Sequence, residues 1–158
     1  MSFDIFLHRF VMGKPAEVNR DPVRAVLETQ DFTGPDNFGF YRIKFEDGVD
    51  VELSAKGLDG AGVFTGCAFH VRGMSPHLVA FILEIARVGD MVLLPAMEDF
   101  VAILSSPHQK EHLPADLVEN GPEPVVCESS PELAVLLSGG HAGWQKYLDQ
   151  VSGQNREE

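Results

Sequence analysis

The sequence predicts an α+β domain in which a mostly antiparallel sheet carries two helices on one face. Apolar and polar residues alternate over 3–8 and again over 38–45, a pattern typical of strands with one buried face. A Glu-Asp-Gly turn at 46–48 marks a hairpin between two such strands. A capped, apolar helix over 75–89 then leads into a short apolar strand. Together these features favour an α+β sandwich.

The predicted strands and helices follow one another as strand, helix, three strands, helix and two strands. The first strand covers 3–8, and a helix follows it because Asn19 or Asp21 can cap a first turn that holds Pro22. Further strands are predicted over 38–45, 49–53 and 63–71. Two helix-to-strand steps in this order predict a ferredoxin-like core with one added strand.

The helix over 75–89 is the predicted centre of the core. It begins with a Ser-Pro pair at 75–76, which suits a cap and a first helical position, and its apolar residues form a wide stripe. Gly89 is predicted to end it in the left-handed conformation. Strands over 91–94 and 100–104 complete the core.

One domain is predicted over residues 1–151. Residues 1–104 form its core, and residues 105–151 form an acidic, proline-rich extension packed on that core. The extension is predicted to hold a short strand at 125–127 and three helices, over 114–119, over 131–137 and from about residue 141 onward. Residues 152–158 are predicted to be a disordered tail.

The composition excludes several classes of function. The chain has 12 Lys and Arg against 24 Asp and Glu, a net charge of -12, which disfavours nucleic acid and anionic membranes as partners. The opening residues carry no signal-peptide pattern, and two cysteines, Cys67 and Cys127, do not make a disulfide framework. A cytoplasmic location is therefore expected.

The second face of the predicted sheet carries aromatic and basic side chains, which is unusual for a solvated face. We expect partner or ligand binding there, through Phe6, His8, Phe40, Arg42, Phe64, His70 and Arg72. Three kinds of cover are considered for this face: the C-terminal segment, a second copy of the chain, or a partner. The C-terminal segment is favoured, because its apolar helices need a surface to pack on.

An H-x-x-E-H pattern at His108, Glu111 and His112 matches inverted zinc metallopeptidases. In those enzymes the two histidines bind zinc from one face of a long helix, and the glutamate is the base. Here Pro107 and Pro114 leave barely one helical turn, so a polar loop is the preferred interpretation. No metal or other cofactor is expected.

Several stretches together resemble one set of small bacterial proteins. They are the opening Met-Ser-Phe-Asp-Ile-Phe, and the segments 13–16, 21–26, 89–94, 112–117 and 124–126. The resemblance covers most of the chain to about residue 137, and the family resembled is one of hypothetical cytosolic proteins. It implies no enzyme class and supplies no catalytic residues.

The leading hypothesis is a non-catalytic, acidic protein-binding domain of an immunity or regulatory type, with a basic protein as the partner. A homodimer is also considered, if the phenylalanine-bearing face stays uncovered. One alternative is a small metal-dependent hydrolase built on His108, Glu111 and His112. Another is a small-molecule pocket between the sheet and the C-terminal segment, lined by His70 and Arg72.

Overall fold

The structure, a computed structural model, describes residues 3–60, 62–97, 101–119 and 121–156, and for residues 140, 141 and 151–156 only the backbone is considered. In chain order the elements are β1 (Phe3–His8), β2 (Phe10–Val11), β3 (Lys14–Pro15), α1 (Arg20–Leu27), β4 (Asp31–Thr33), β5 (Phe40–Lys44), β6 (Asp50–Ser54), β7 (Gly66–Val71), α2 (Pro76–Val88), β8 (Val92–Pro95), β9 (Ile103–Leu104), a 3₁₀ helix (Pro107–His112), α3 (Ala115–Glu119), β10 (Val125–Val126) and α4 (Ser130–Arg156).

Most of the strands belong to one eight-stranded sheet with the order β10-β9-β8-β1-β7-β6-β5-β4. Its neighbouring strands pair antiparallel except β10 and β9, which are parallel. The strands β2 and β3 form a separate hairpin. The predicted α+β class with a mostly antiparallel sheet is therefore confirmed.

The predicted ferredoxin-like core and two-helix face are not confirmed. The helix α1 is followed by β4 at the far edge of the sheet rather than by a strand close to β1. A third long helix, α4, also packs against α2 and adds its buried side chains to the main core. Sequence order alone did not reveal that the extension would enlarge the helical layer.

Alternation along the strands divides the sheet into two faces. In β1, Ile5 and Leu7 are buried, while Asp4, Phe6 and His8 point the other way. The buried side, here called the inner face, packs with α1, α2 and α4 into one core. Each Å² of apolar surface removed from water contributes about 25 cal/mol, so this layer is the main source of stability.

The helix α2 sits in the middle of the helical layer and contacts both α1 and α4. Its cap is as predicted, since the Ser75 Oγ accepts a hydrogen bond from the Leu78 N–H at 3.2 Å and Pro76 occupies the first turn. Its end differs from the prediction. Gly89 has a helical φ of -90°, and the left-handed residue is Asp90, with a φ of 54°.

The C-terminal helix α4 does not cover the second face of the sheet. Its buried residues belong to the same core as α2, on the inner side: Leu133, Leu136, Leu137 and Trp144. The prediction that the C-terminal segment covers the second face was therefore wrong for α4, and only the 3₁₀ helix of that segment reaches this face, at the β8 end, among the described residues. The apolar side of α4 finds its contacts on the helical layer instead.

The structure also changes several predicted boundaries. The two helices predicted around 131–137 and from 141 are one continuous helix, α4, which extends to Arg156 through part of the predicted tail. Once a helix is formed, each added residue gains a hydrogen bond. Of the strand predicted over 100–104, Ile103–Leu104 is present and Phe100 lies outside the described residues. Residues 157–158 also lie outside them.

Part of the second face is covered at the β8 end of the sheet. A small apolar cluster there contains Val92 and Leu104 from the strands and Leu113 from the end of the 3₁₀ helix. Phe10, from the β2–β3 hairpin, packs against the cluster. This cover forms a wall beside β1, and no element of the described chain covers β1, β7, β6 and β5 on this side.

Candidate functional site

We call this uncovered side of β1, β7, β6 and β5 the outer face. The pairing registers of the four strands place its side chains in rows that run across the strands. One row is polar and consists of Asp4, His70, Glu52 and Arg42. The neighbouring row is less polar and consists of Phe6, Ala68, Ser54 and Phe40. Directly opposed residues of this kind are the closest side-chain neighbours in an antiparallel sheet.

The polar row is linked by ion pairs within the chain. The Asp4 carboxylate lies 2.8 Å from the Nδ1 of His70. The Arg42 guanidinium lies 3.1 Å from Asp50 and 3.7 Å from Glu52. These side chains are each a third or more exposed, so each pair contributes little to stability, at most about 1 kcal/mol. Their effect is to hold charges of both signs in fixed places.

His70 lies at the centre of the outer face. Its Nδ1 faces Asp4, and its ring centroid is 6.0 Å from that of Phe40. Its Nε2 is buried and has no hydrogen-bond partner. A buried polar atom without a partner carries a desolvation cost of about 1–3 kcal/mol.

The second row supplies apolar surface next to these charges. Phe6 is 38% exposed, a large fraction for a phenylalanine on a central strand. Phe40 and Leu94 are half-buried. Leu94 belongs to β8 and is paired directly with Phe6 of β1. The outer face therefore combines apolar patches with fixed charges, as protein interfaces do.

A cleft of about 320 Å³ opens on the outer face over the polar row. Its charged lining residues are Asp4, Arg42, Asp50, Glu52, His70 and Arg72. His70 and Arg72 both line this cleft, whose walls come from the sheet. The hypothesis of a small-molecule pocket between the sheet and the C-terminal segment stays a prediction. Most of its charges already pair with one another.

The structure brings most of the predicted binding residues together. Phe6, Phe40, Arg42 and His70 lie on the outer face, and Arg72 follows the end of β7 beside it. His8 lies at the border with the hairpin, where its ring is 6.0 Å from that of Phe10 and burial lowers its pKa.

Phe64 was placed on the outer face by the sequence, and this prediction was wrong. The strand β7 begins at Gly66, so the alternation assumed from residue 63 does not reach Phe64. The side chain is fully buried in the main core, and its carbonyl accepts a hydrogen bond from the Val18 N–H at 2.7 Å. Alternation applies only where the backbone is an extended strand.

The H-x-x-E-H pattern lies on the 3₁₀ helix, and its histidines serve separate contacts. The Nε2 of His108 lies 2.8 Å from Asp90. The Nδ1 of His112 accepts a hydrogen bond from the Met12 N–H at 3.1 Å, which leaves its proton on Nε2. Neither nitrogen of neutral His112 then offers a free lone pair to a metal. Within the described residues, no group of three His, Cys, Asp or Glu could hold a metal ion.

A buried polar network around Gln109 was not predicted. Gln109 is 4% exposed and accepts hydrogen bonds from the Ser105 and Ser106 N–H groups while it donates to Asp90. Burial alone raises the pKa of Asp90, but hydrogen bonds from His108 and Gln109 and the charges of His108 and Arg9 outweigh it and hold the pKa below its usual value. The network fixes the 3₁₀ helix to the α2–β8 turn. No sequence pattern signalled it, because Gln109 and Asp90 lie 19 positions apart in the chain.

The two cysteines are inert. Cys67 lies on the inner face and Cys127 beside β10, and both are buried and free. Burial raises the pKa of Cys67 to about 12 and that of Cys127 to about 11. Thiols with such values are almost fully protonated at neutral pH and are poor nucleophiles.

Comparisons with known proteins leave the chain to be interpreted from its own structure. No family model, no curated protein and no solved structure matches it. No helix in the described ranges is long and apolar enough to cross a membrane.

Proposed function

We propose that the protein is a non-catalytic, cytoplasmic protein-binding domain, of an immunity or regulatory type, that contacts its partner through the outer face. The observation that carries this proposal is the distribution of cover on the sheet. Three helices bury the inner face, while β1, β7, β6 and β5 keep Phe6 and Phe40 partly exposed on the other side. A sheet face with this mixture is typical of a recognition surface.

The charges support a protein as the partner. The net charge of -12 repels nucleic acid phosphates and anionic lipids, and it would speed the approach of a basic protein. The polar row holds charges of both signs in fixed positions, which favours recognition by a surface with matching charges. The cleft has its charges largely satisfied within the chain, so a small ligand gains less there.

Aromatic anchors in the second row should carry much of the binding energy. Replacing both Phe6 and Phe40 with threonine removes their rings and keeps a residue suited to a strand. We expect the double variant to bind a partner at least about tenfold more weakly, because aromatic residues dominate interface energetics. Val63→Thr is the matched control, since Val63 is 67% exposed and lies outside the sheet.

The test compares three immobilised proteins: wild type, the double variant and Val63→Thr. Proteins retained from a native extract at low salt are identified by mass spectrometry, and the affinity of each is then measured with purified material. The proposal expects at least one protein that wild type and Val63→Thr bind and that the double variant loses. If the double variant and wild type bind the same proteins equally well, and both melt at similar temperatures, the outer face is not the binding surface.

A further inference from the structure

The outer face differs in charge from the molecule as a whole. The chain carries -12, but the outer face and its margin hold three basic side chains, Arg42, Lys44 and Arg72, and four acidic ones, Asp4, Asp50, Glu52 and, on the edge strand β4, Asp31. A surface made for a basic partner would carry a larger excess of acids. A surface with nearly balanced charges in fixed places suits a partner with the same balance.

The arrangement of these charges is self-complementary. We propose that the partner of the outer face is a second copy of this chain, packed face to face about a two-fold axis that runs parallel to the strands, between β7 and β6. This inference rests on the proposed function, because both use the outer face as a protein-binding surface. In a two-fold interface, residue i of one copy meets residue j of the other, and j meets i.

The strand order determines which residues meet. The outer face runs β1-β7-β6-β5, so this axis places β1 over β5 of the second copy and β7 over β6 of the second copy. In the polar row, Asp4 then faces Arg42 and His70 faces Glu52. Each of these contacts pairs a carboxylate with a basic side chain, and each occurs twice.

The rows on either side match under the same axis. In the second row, Phe6 faces Phe40 and Ala68 faces Ser54, so apolar rings meet each other and the two small residues meet between them. On the opposite side of the polar row, Asp50 and Arg72 both line the cleft, and the β6–β7 register continued two residues beyond Glu52 and His70 would set them side by side. Under this axis Asp50 then faces Arg72 of the second copy. No like charges are opposed in these three rows.

The neighbouring elements bound this packing on one side. The wall formed by the 3₁₀ helix and the β2–β3 hairpin lies on the β8 side of the outer face. The axis places β8 opposite the edge strand β4 of the second copy, so the wall confines the contact to β1, β7, β6 and β5. Face-to-face sheets pack about 10 Å apart with strands within about 30° of each other, which long side chains such as arginine can span.

The dimer should be weak. Four strands about 4.8 Å apart and about 17–20 Å long give a face of only about 350 Å² in projection. This is less than half of the roughly 800 Å² per partner that stable interfaces bury, so the association is weak and transient. Measurements therefore need protein concentrations from about 10 μM to about 1 mM, at physiological salt, where repulsion between the two acidic copies is screened beyond about 8 Å.

Two charge-reversal variants test the inference by sedimentation velocity. Asp4→Arg alone and Arg42→Asp alone each oppose like charges twice in the dimer, so each should self-associate at least about tenfold more weakly than wild type. An equimolar mixture of the two variants restores opposite charges at both positions. We expect wild type and the mixture to shift from 17.3 kDa toward twice that mass as concentration rises, while each variant alone stays monomeric.

A second pair, Asp50→Lys and Arg72→Glu, repeats the test at exposed positions and decides it if a variant of the first pair does not fold. The inference is overturned if wild type stays monomeric up to about 1 mM, or if folded variants fail to associate when mixed. If wild type is monomeric but the Phe6 and Phe40 double variant still loses a captured protein, the proposed function stands and only the second copy is rejected. If the double variant loses no partner either, both fail.

Discussion

Replacing Phe69 with alanine should lower the free energy of unfolding by about 3–5 kcal/mol, the range measured for large aromatic residues removed from a core. Phe69 lies in β7 on the inner face, is fully buried, and meets the ring of Phe81 from α2 edge-on at 6.0 Å. The loss combines transfer free energy with the cost of a cavity between the sheet and the helical layer. Urea unfolding followed by circular dichroism measures it.

Phe6→Ala is the matched control for this variant. Phe6 is on the adjacent strand β1, but on the outer face and 38% exposed. Its removal should cost less than about 1 kcal/mol at a protein concentration low enough to keep the chain monomeric. Similar losses for both variants would contradict the assignment of the two faces.

Gln109→Ala should also be strongly destabilising, by about 2–3 kcal/mol. The change leaves the partly buried N–H groups of Ser105 and Ser106 without their acceptor and removes a donor to Asp90. A buried polar group that loses its partner costs about 1–3 kcal/mol. Thermal and urea unfolding measure the effect.

The neighbouring Lys110 provides the control, because its side chain is exposed and its Nζ pairs with the equally exposed carboxylate of Glu123. Lys110→Ala should change stability by less than about 0.5 kcal/mol. Gln109→Met, which keeps the length of the side chain, should remain destabilising if hydrogen bonds rather than packing explain the loss. A Gln109→Met variant as stable as wild type would show that the network is dispensable.

Local features of the chain were predictable from the sequence. Alternation placed β1 correctly over 3–8, and the cap at Ser75 and the turn at 46–48 were visible as residue patterns. These features depend on contacts between residues close in the chain, or on the two-residue period of a strand. The α+β class follows from them.

Features that depend on distant contacts were not predictable in the same way. The leucines of α4 required burial, but either face of the sheet could have provided it. The sequence alone therefore did not show that they pack with α2. The buried state of Phe64 depends on where β7 begins. The contacts of Asp90 with His108 and Gln109 join residues far apart in the chain, and the H-x-x-E-H pattern gave no sign of them.

The candidate site was predicted in part. Alternation identified Phe6, Phe40, Arg42 and His70 as neighbours on one side of the sheet, and the structure places them there. The self-complementary pairing could not be predicted, because it depends on the strand order β1-β7-β6-β5. Strand order is set by long-range pairing and not by local pattern.

The most direct test of the outer face is hydroxyl-radical footprinting of Phe6 as a function of protein concentration. Fully buried Phe69 serves as the protected reference, and Met12, which is 82% exposed on the hairpin, as the reactive one. We predict that Phe6 is oxidised in dilute solution and becomes protected as concentration rises, while Met12 stays reactive throughout. A Phe6 side chain as unreactive as Phe69 even in dilute solution would contradict an uncovered outer face, and one equally reactive at all concentrations would contradict its use in self-association.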